Sequence, residues 1–501
     1  GDQVELSSIK ALLETYNCPD KYLSIGSVKS MIGHLLTAAG AAGFIKTVLS
    51  MNGGFLPPSL HFQTPAKKSP LNHSNIRVQT NVEDWIPETK TSPRKAGISA
   101  FGFGGINAHL LIEEFKSTSN RHFINSSDKK EALQNVPIAI VGMETIIKDC
   151  HSLSGFADLI FGSVHPSPEL PGSRWRRTDA DAFQQIPGFY MDQISSHVGE
   201  FHIPPNQMND ILPQHIVLLK AVKGTLEDAR INPRPLPNNS QRAQIGCAIG
   251  IEFDFGATDF YLRWKINSLP QAIKDKISGP LTFNRTLGAL GGIVASRVAR
   301  EFKLGGPCFT LSAQASSGIK AIETAIHSLS AEETDIFICG CVDLAGDIRQ
   351  YALNEAAGPH SENNIPSEGA AAIVLKRLDQ AIDDNDKIYG VIKGVAGTAG
   401  DHIPGETIHD SVRSEALYTQ SLERAMSDSK KLFKNINLFE ASVSGNIDKD
   451  LAQISALNRF GKDNPGQEPC YVTASSSLIG NTHGVSGLFS VIQTALCLYY
   501  N

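Results

Sequence analysis

Apolar residues fall in short runs separated by glycine, proline and polar clusters, and one run organises the rest. Val136 to Met143 (VPIAIVGM) is β-branched and apolar, with a glycine near its end. That pattern predicts a buried parallel strand opening an α/β domain. Ahead of it, residues 116–135 (KSTSNRHFINSSDKKEALQN) are polar, lack a sustained apolar period and read as a linker. Before the linker, Ala96 to Ala100 and Leu110 to Glu113 read as strands flanking a glycine-rich loop. A domain boundary therefore falls near 116–136.

An internal repeat sets the architecture. Residues 27–49 (SVKSMIGHLLTAAGAAGFIKTVL) and 474–496 (ASSSLIGNTHGVSGLFSVIQTAL) align at an offset of 447. They are identical at seven of 23 positions: Ser30, Ile32, Gly33, Gly40, Ile45, Thr47 and Leu49 of the first segment. Chance identity is roughly one position in fifteen, so the match marks a duplicated domain and not a solenoid unit. Each segment predicts a strand, an Ile-Gly turn and a helix. In the first, Ala39 to Gly43 carries almost no side-chain bulk. A helix that is small and apolar all round is expected to lie buried. Gly53-Gly54 and then Pro57-Pro58 stop it.

Composition narrows the function classes. The 501 residues allow about three domains or one large duplicated fold. With 45 basic against 51 acidic residues, a net charge of −6 argues against nucleic acid or an anionic membrane as the main partner. The eight cysteines include no CxxC pair and no Cys/His cluster, so no metal site is expected. Cys339 and Cys341 fall in the apolar run Ile336 to Val342 and are expected on one face of a buried strand. This cysteine usage suits a reducing, cytoplasmic compartment. No run is long and apolar enough to span a bilayer. The chain opens at Gly1 without a methionine and stops at Asn501 within an apolar helical pattern, which reads as a segment cut at both ends.

Two segments carry candidate chemistry. Lys29 and His34 straddle the first Ile-Gly turn. They fit either a core histidine with a surface lysine, or an acyl-transfer site whose neutral imidazole donates to a thioester carbonyl. Ser99 to His109 (SAFGFGGINAH) holds Gly102, Gly104 and Gly105 around Phe103. Such a loop lets backbone N–H groups converge on a carbonyl oxygen, and its spacing is not that of a phosphate loop.

Taken in order, the IGH turn, the small-residue helix, LPPSLHF and SAFGFGGINAHLLIEE resemble the C-terminal half of a β-ketoacyl synthase. The opening GDQVELSSIKALLE is similar to the segment just after that family's first catalytic-histidine motif. The resemblance implies the thiolase-like fold, an α/β architecture layered α-β-α-β-α. It implies the C-terminal part of one copy in residues 1–115, then the linker 116–136, then a nearly complete second copy in 137–501. It also implies a decarboxylative Claisen condensation, with the nucleophilic cysteine and first histidine upstream of Gly1. By the same resemblance His34 is the second histidine donor and Lys29 its partner lysine. Phe103 takes the gating position with its N–H in the oxyanion hole, flanked by Gly102, Gly104 and Gly105.

The second copy resembles the family with its catalytic residues removed. Gly306 to Ile322 (GPCFTLSAQASSGIKAI) aligns with the nucleophile elbow and puts Ala315 at the cysteine position, with Gln314 one residue earlier. Ser442 falls where the first histidine belongs, Ser476 replaces the lysine and Asn481 the second histidine. This pattern resembles a chain-length factor, the inactive partner of an active ketosynthase. A ketosynthase followed by a chain-length factor resembles the tandem found in polyunsaturated fatty acid synthases, as does the run HIPPNQMNDILPQH ending at His215. The partners implied are an acyl carrier protein, whose phosphopantetheine carries the substrates, and other synthase subunits. No cofactor bound by the segment itself is implied. Arg174 to Arg177 could meet an acidic carrier protein, or form an ordinary solvated loop. The aromatic stretch Phe253 to Trp264 is a candidate tunnel wall, with core packing as its alternative.

Overall fold

A computed structural model describes the chain except for residues 1, 19–21, 90, 103, 117–135, 163–165, 171–186, 236–239, 253–261, 289, 345–364, 401–410, 430–435, 444, 446, 463–469 and 501. The chain divides into two compact units, Gly1–Lys129 and Lys130–Asn501.

The first unit runs α1 (Asp2–Thr15), β1 (Leu23–Ile25), α2 (Lys29–Ile32), α3 (Ala39–Gly53), β2 (Phe55–Leu56), β3 (Ile76–Val78), β4 (Glu83–Asp84), β5 (Lys95–Phe101) and β6 (Asn107–Glu113). β1 and β3 pair in parallel, and β5 and β6, the two strands expected around the glycine-rich loop, pair as a hairpin from Lys95↔Glu113 to Phe101↔Asn107. α3 ends as its sequence predicts, on a left-handed Gly54 whose N–H bonds the Ser50 carbonyl. It lies on β5 closely enough that a Cβ at Gly40 would come 3.1 Å from that of Ala100. One expectation fails here. α3 is not buried all round: Phe44, Ile45, Val48 and Leu49 are 40–62% exposed, and only Ser50 and Met51 are buried.

The second unit begins with β7 (Ile138–Ile147), α4 (Leu153–Ile160), α5 (Pro213–Asp228), β8 (Ile245–Ile251), α6 (Gln271–Ser278), α7 (Phe283–Gly288), α8 (Ile293–Phe302) and β9 (Cys308–Leu311). It continues with α9 (Ser317–Ser330), β10 (Ile336–Leu344), β11 (Glu368–Arg377), α10 (Leu378–Asp383), β12 (Gly390–Ile392) and α11 (Ser411–Ser429). The last elements are β13 (Leu438–Glu440), α12 (Ile447–Lys462), β14 (Tyr471–Thr473), α13 (Ser476–Ile479) and α14 (Ser486–Tyr500).

A six-stranded sheet of order β12-β7-β11-β10-β8-β9 is the core. β7, predicted as a parallel strand, is antiparallel to both its neighbours, β11 and β12. The apolar run reported burial on both faces, which holds, and burial on both faces does not depend on strand direction.

α5 covers one face of the sheet. A Cβ at Gly340 of β10 would meet Leu218 and Val222 of that helix. On the other face Cys339 and Cys341 share a side, as their spacing predicts. They pack with Ala321, Ile322 and Ala325 of α9 and with Leu488, Phe489 and Ile492 of α14. Each large aliphatic or aromatic side chain so buried contributes roughly 1.5–3 kcal/mol. All eight cysteines are free, and burial pushes the Cys339 and Cys341 thiols up, which makes them inert packing groups.

The sequence repeat is also a repeat of geometry. α2 and α13, the 3-10 turns Leu36–Ala38 and His483–Val485, and α3 and α14 begin and end at the same offset of 447.

Candidate functional site

In the first unit the site is built at the end of β1. Ser30 Oγ donates to the Ser27 carbonyl (2.9 Å) and accepts from the Leu60 N–H (3.0 Å). Ser59 Oγ accepts from the Ser27 N–H (3.1 Å). With the turn so fastened, α2 ends at Gly33 with φ 77° and ψ −177°, a conformation that essentially only glycine adopts. The chain turns there into His34, whose Nδ1 accepts the Leu36 N–H at 3.0 Å. A ring nitrogen that accepts is unprotonated, so the neutral imidazole carries its proton on Nε2. The outcome is an exposed Nε2–H of fixed tautomer, suited to a thioester or enolate oxygen. Lys29, the first residue of α2, is also exposed.

The glycine loop closes the β5–β6 hairpin. Gly102 N–H donates to the Ile106 carbonyl at 2.7 Å, and Gly104 and Gly105 take φ values of 92° and 94°. Because Ala100 lies on Gly40 in the first turn of α3, this loop and His34 sit at the same end of that helix.

In the second unit the corresponding parts meet where α9 and α14 cross. A Cβ at Gly318 would come 2.9 Å from Leu488 Cγ, and one at Gly487 would come 2.7 Å from Ile319 Cγ1. The elbow joins β9 to α9. Buried Ser317 holds it, its Oγ donating to the Gln314 carbonyl (2.6 Å) and accepting from the Ala313 N–H (2.9 Å). Gln314 takes φ 52°, and exposed Ala315 comes two residues ahead of α9. That is where a helix N-terminus would stabilise a thiolate, but a methyl group offers no nucleophile. Cys308 lies buried at the start of β9, paired in register with Cys247.

Asn481 repeats the backbone of His34. Gly480 before it has φ 76° and ψ −176°, and Asn481 Oδ1 accepts the His483 N–H at 3.0 Å, the bond that Nδ1 makes in the first unit. Ser476 opens α13; the residue is half-buried, and its buried Oγ has no hydrogen-bond partner among the described residues. Ser442 is exposed, next to the buried Ala441. Beneath these residues, Gly484 donates its N–H to buried Asp343 (3.4 Å) and accepts the Cys341 thiol (3.0 Å). Burial, then the charge of Glu252, holds the Asp343 carboxyl well above its ordinary range.

Glu440, not among the candidate residues read from the sequence, fixes the loop bearing Ser442. Its Oε2 accepts from Thr473 Oγ1 (2.6 Å) and Gln493 Nε2 (2.9 Å), and its Oε1 from the Ser475 N–H (2.5 Å) and Ser490 Oγ (3.5 Å). Its place two residues before Ser442 was the available signal. Beside it opens a cavity of about 510 Å³ lined by Ala441, Val443, Ile454, Leu457, Ser477 and Leu478 among others. In the first unit the matching positions Ser27 and Ser30 are covered by Ser59 and Leu60.

Phe103, residues 117–135 of the linker, Arg174 to Arg177 and residues 253–261 of the aromatic stretch lie outside the described residues. Trp264, at the end of that stretch, is 75% exposed. Among the described residues no group of three His, Cys, Asp or Glu could hold a metal ion, and no helix is long and apolar enough to cross a membrane.

The chain is 24% identical over 533 residues to a subunit of the polyunsaturated fatty acid synthase of Thraustochytrium, covering 100% of this chain and 25% of that one. It is 25% identical over 385 residues to polyketide synthase PksL of Bacillus subtilis, covering 72% of this chain and 8% of the other. A highly reducing polyketide synthase of Emericella nidulans is 42% identical over 113 residues, 23% of this chain and 4% of its own. The chain thus spans a quarter or less of these relatives. Among solved structures, the PfaC keto synthase–chain length factor superposes with a TM-score of 0.78 at 22% identity, covering 99% of this chain and 53% of that one. The described architecture is therefore the mixed α/β fold of that ketosynthase–chain-length-factor structure. The β-ketoacyl synthase N-terminal domain matches residues 135–381, and its C-terminal domain matches twice, at 1–63 and 389–501. Carrying both domains of the β-ketoacyl synthases, the chain belongs to that family.

Proposed function

We propose that this chain serves acyl-chain elongation on acyl-carrier-protein thioesters in a polyunsaturated fatty acid synthase. On this reading residues 1–115 are the C-terminal part of an active ketosynthase, 116–136 a linker and 137–501 its chain-length factor. The observation that carries it is the pair His34 and Asn481, held by the same turn and the same hydrogen bond to the N–H two residues on. One ends in an Nε2–H donor and the other does not. The twofold match of the C-terminal domain supports the same division.

The reaction has two stages. A cysteine thiolate of the ketosynthase attacks the acyl thioester and releases the carrier's thiol. Malonyl thioester then loses CO₂, and its enolate carbon attacks the acyl-cysteine, forming the C–C bond and freeing the thiolate. His34 Nε2–H stabilises the enolate oxygen, and the Gly102–Gly105 loop with Phe103 supplies a backbone donor. Ala315 cannot enter this cycle, so residues 137–501 act by closing the acyl tunnel and setting chain length. The substrates arrive on phosphopantetheine, and no further cofactor takes part.

Intact mass after incubation with an acyl-carrier-protein thioester tests the reading. This chain should stay unmodified while the full-length synthase takes up one acyl group. In the full-length protein His34→Ala should leave that uptake intact and lower condensation about 10²–10³-fold. Acylation of this chain at Cys308, or full condensation by His34→Ala, would overturn the assignment.

A further inference from the structure

The four donors around Glu440 have counterparts in the first unit. At the offset of 447, Thr473 becomes Gly26, Ser475 becomes Val28, Ser490 becomes Gly43 and Gln493 becomes Lys46. The backbone donor is kept in position, whereas three neutral side-chain donors give way to two glycines and one lysine. Lys46 fills the space so vacated: its Nζ lies 3.4 Å from where a Cβ at Gly26 would stand. Among the described residues no hydrogen bond or ion pair reaches that ammonium, although it is partly desolvated. Among the described residues β1 pairs with β3 alone, whereas β14, which occupies its place in the second unit, is paired with the strand that bears Glu440.

We infer that Lys46 is a positioning residue, receiving the carboxylate of a glutamate two residues before the first catalytic histidine of the active ketosynthase. The inference rests on the reading of residues 1–115 proposed above. One ammonium donor replaces three neutral side-chain donors and pins the strand end that carries the histidine. The second unit, with no histidine to aim, keeps its glutamate and holds it with neutral donors.

Two experiments separate this contact from the functional reading. In the present chain, Thr473→Gly reproduces the first unit's open position, and adding Gln493→Lys should then raise the thermal midpoint. The gain should vanish when Glu440→Gln is also present, as a double-mutant cycle requires. Equal effects in both backgrounds would overturn the lysine–carboxylate geometry, whatever the protein's function. In the full-length synthase, Lys46→Met should lower condensation about tenfold with uptake of the acyl group unchanged, and Lys46→Gln should recover part of the loss. Equal loss of uptake and condensation would mean a merely structural lysine, and no loss of either would remove the role. A full-length protein whose condensation ignores His34→Ala would sink the functional reading, while the stability cycle still judges the contact.

Discussion

Replacing His215 by leucine is expected to remove about 3 kcal/mol of the stability that the second unit loses between pH 7 and pH 4. His215, in the first turn of α5, is 1% exposed, and neither ring nitrogen has a hydrogen-bond partner among the described residues. Burial, and then the charge of Arg297, lowers its pKa from the ordinary value to about 3. A base depressed in this way stays neutral in the folded chain while the unfolded chain takes up a proton below about pH 6.5. Its contribution is therefore complete above that pH and is lost as pH falls toward 3. His483, lowered to about 4 by burial alone, acts in the same direction. Glu144 opposes both: burial raises it to about 7, so its contribution is present at low pH and is lost as pH rises from the ordinary carboxyl range to about 7. Comparing His215→Leu with the parent cancels that opposing part. Urea unfolding at several pH values should show the parent losing about 3 kcal/mol more than the variant between pH 7 and pH 4, so that the variant becomes the more stable of the two. Parallel curves would mean that the histidine is solvated in the folded state. At pH 7 the leucine should cost little, because it removes two buried polar atoms that nothing satisfies.

Gly480→Ala is expected to cost about 3–5 kcal/mol and Gly33→Ala only about 1–3 kcal/mol. The two glycines share a conformation, φ 76° and ψ −176° against φ 77° and ψ −177°. Backbone strain is thus common to both. Their surroundings differ: a Cβ at Gly480 would stand 2.7 Å from the Ile365 carbonyl oxygen and 2.9 Å from Phe189 Cδ2, whereas one at Gly33 meets nothing within 4 Å. Hydrogen exchange followed in each unit's own peptides measures the two losses separately. Equal losses would show that the Ile365 and Phe189 contacts relax, leaving strain as the whole cost.

Much of the architecture could be read from residues alone. The offset of 447 matched the Ile-Gly turns and the long helices α3 and α14, because identities at Gly33 and Gly40 mark a conformation and a close approach that few other residues permit. The strand expected before each turn ends earlier, at Ile25 and Thr473, and the residues next to the turn form the short helices α2 and α13. The strands β5 and β6 were legible as apolar runs around a glycine-rich loop, and the shared face of Cys339 and Cys341 followed from the period of two. Strand direction was not legible, and β7 shows why: an apolar run reports burial on both faces, which antiparallel pairing in the middle of a covered sheet also provides. The burial of α3 was misjudged for a related reason. Its composition allows packing on every side, but α9 and the sheet that cover α14 have no counterpart among the described residues of the first unit.

By itself, then, the sequence determined which residue types stand at the candidate site. It put an imidazole at His34 and a carboxamide at Asn481, a methyl at Ala315, and the glycines that force the turns between them. Those are covalent facts that no packing alters. The tertiary structure alone decided what each group does with its hydrogen bonds. Acceptance of the Leu36 N–H leaves the His34 proton on Nε2, four donors converge on Glu440, and Lys46 lies in the space left by Gly26. Hydrogen bonds and desolvation act over a few ångströms between residues far apart in the chain, so the order of residues cannot specify them until the backbone has brought them together.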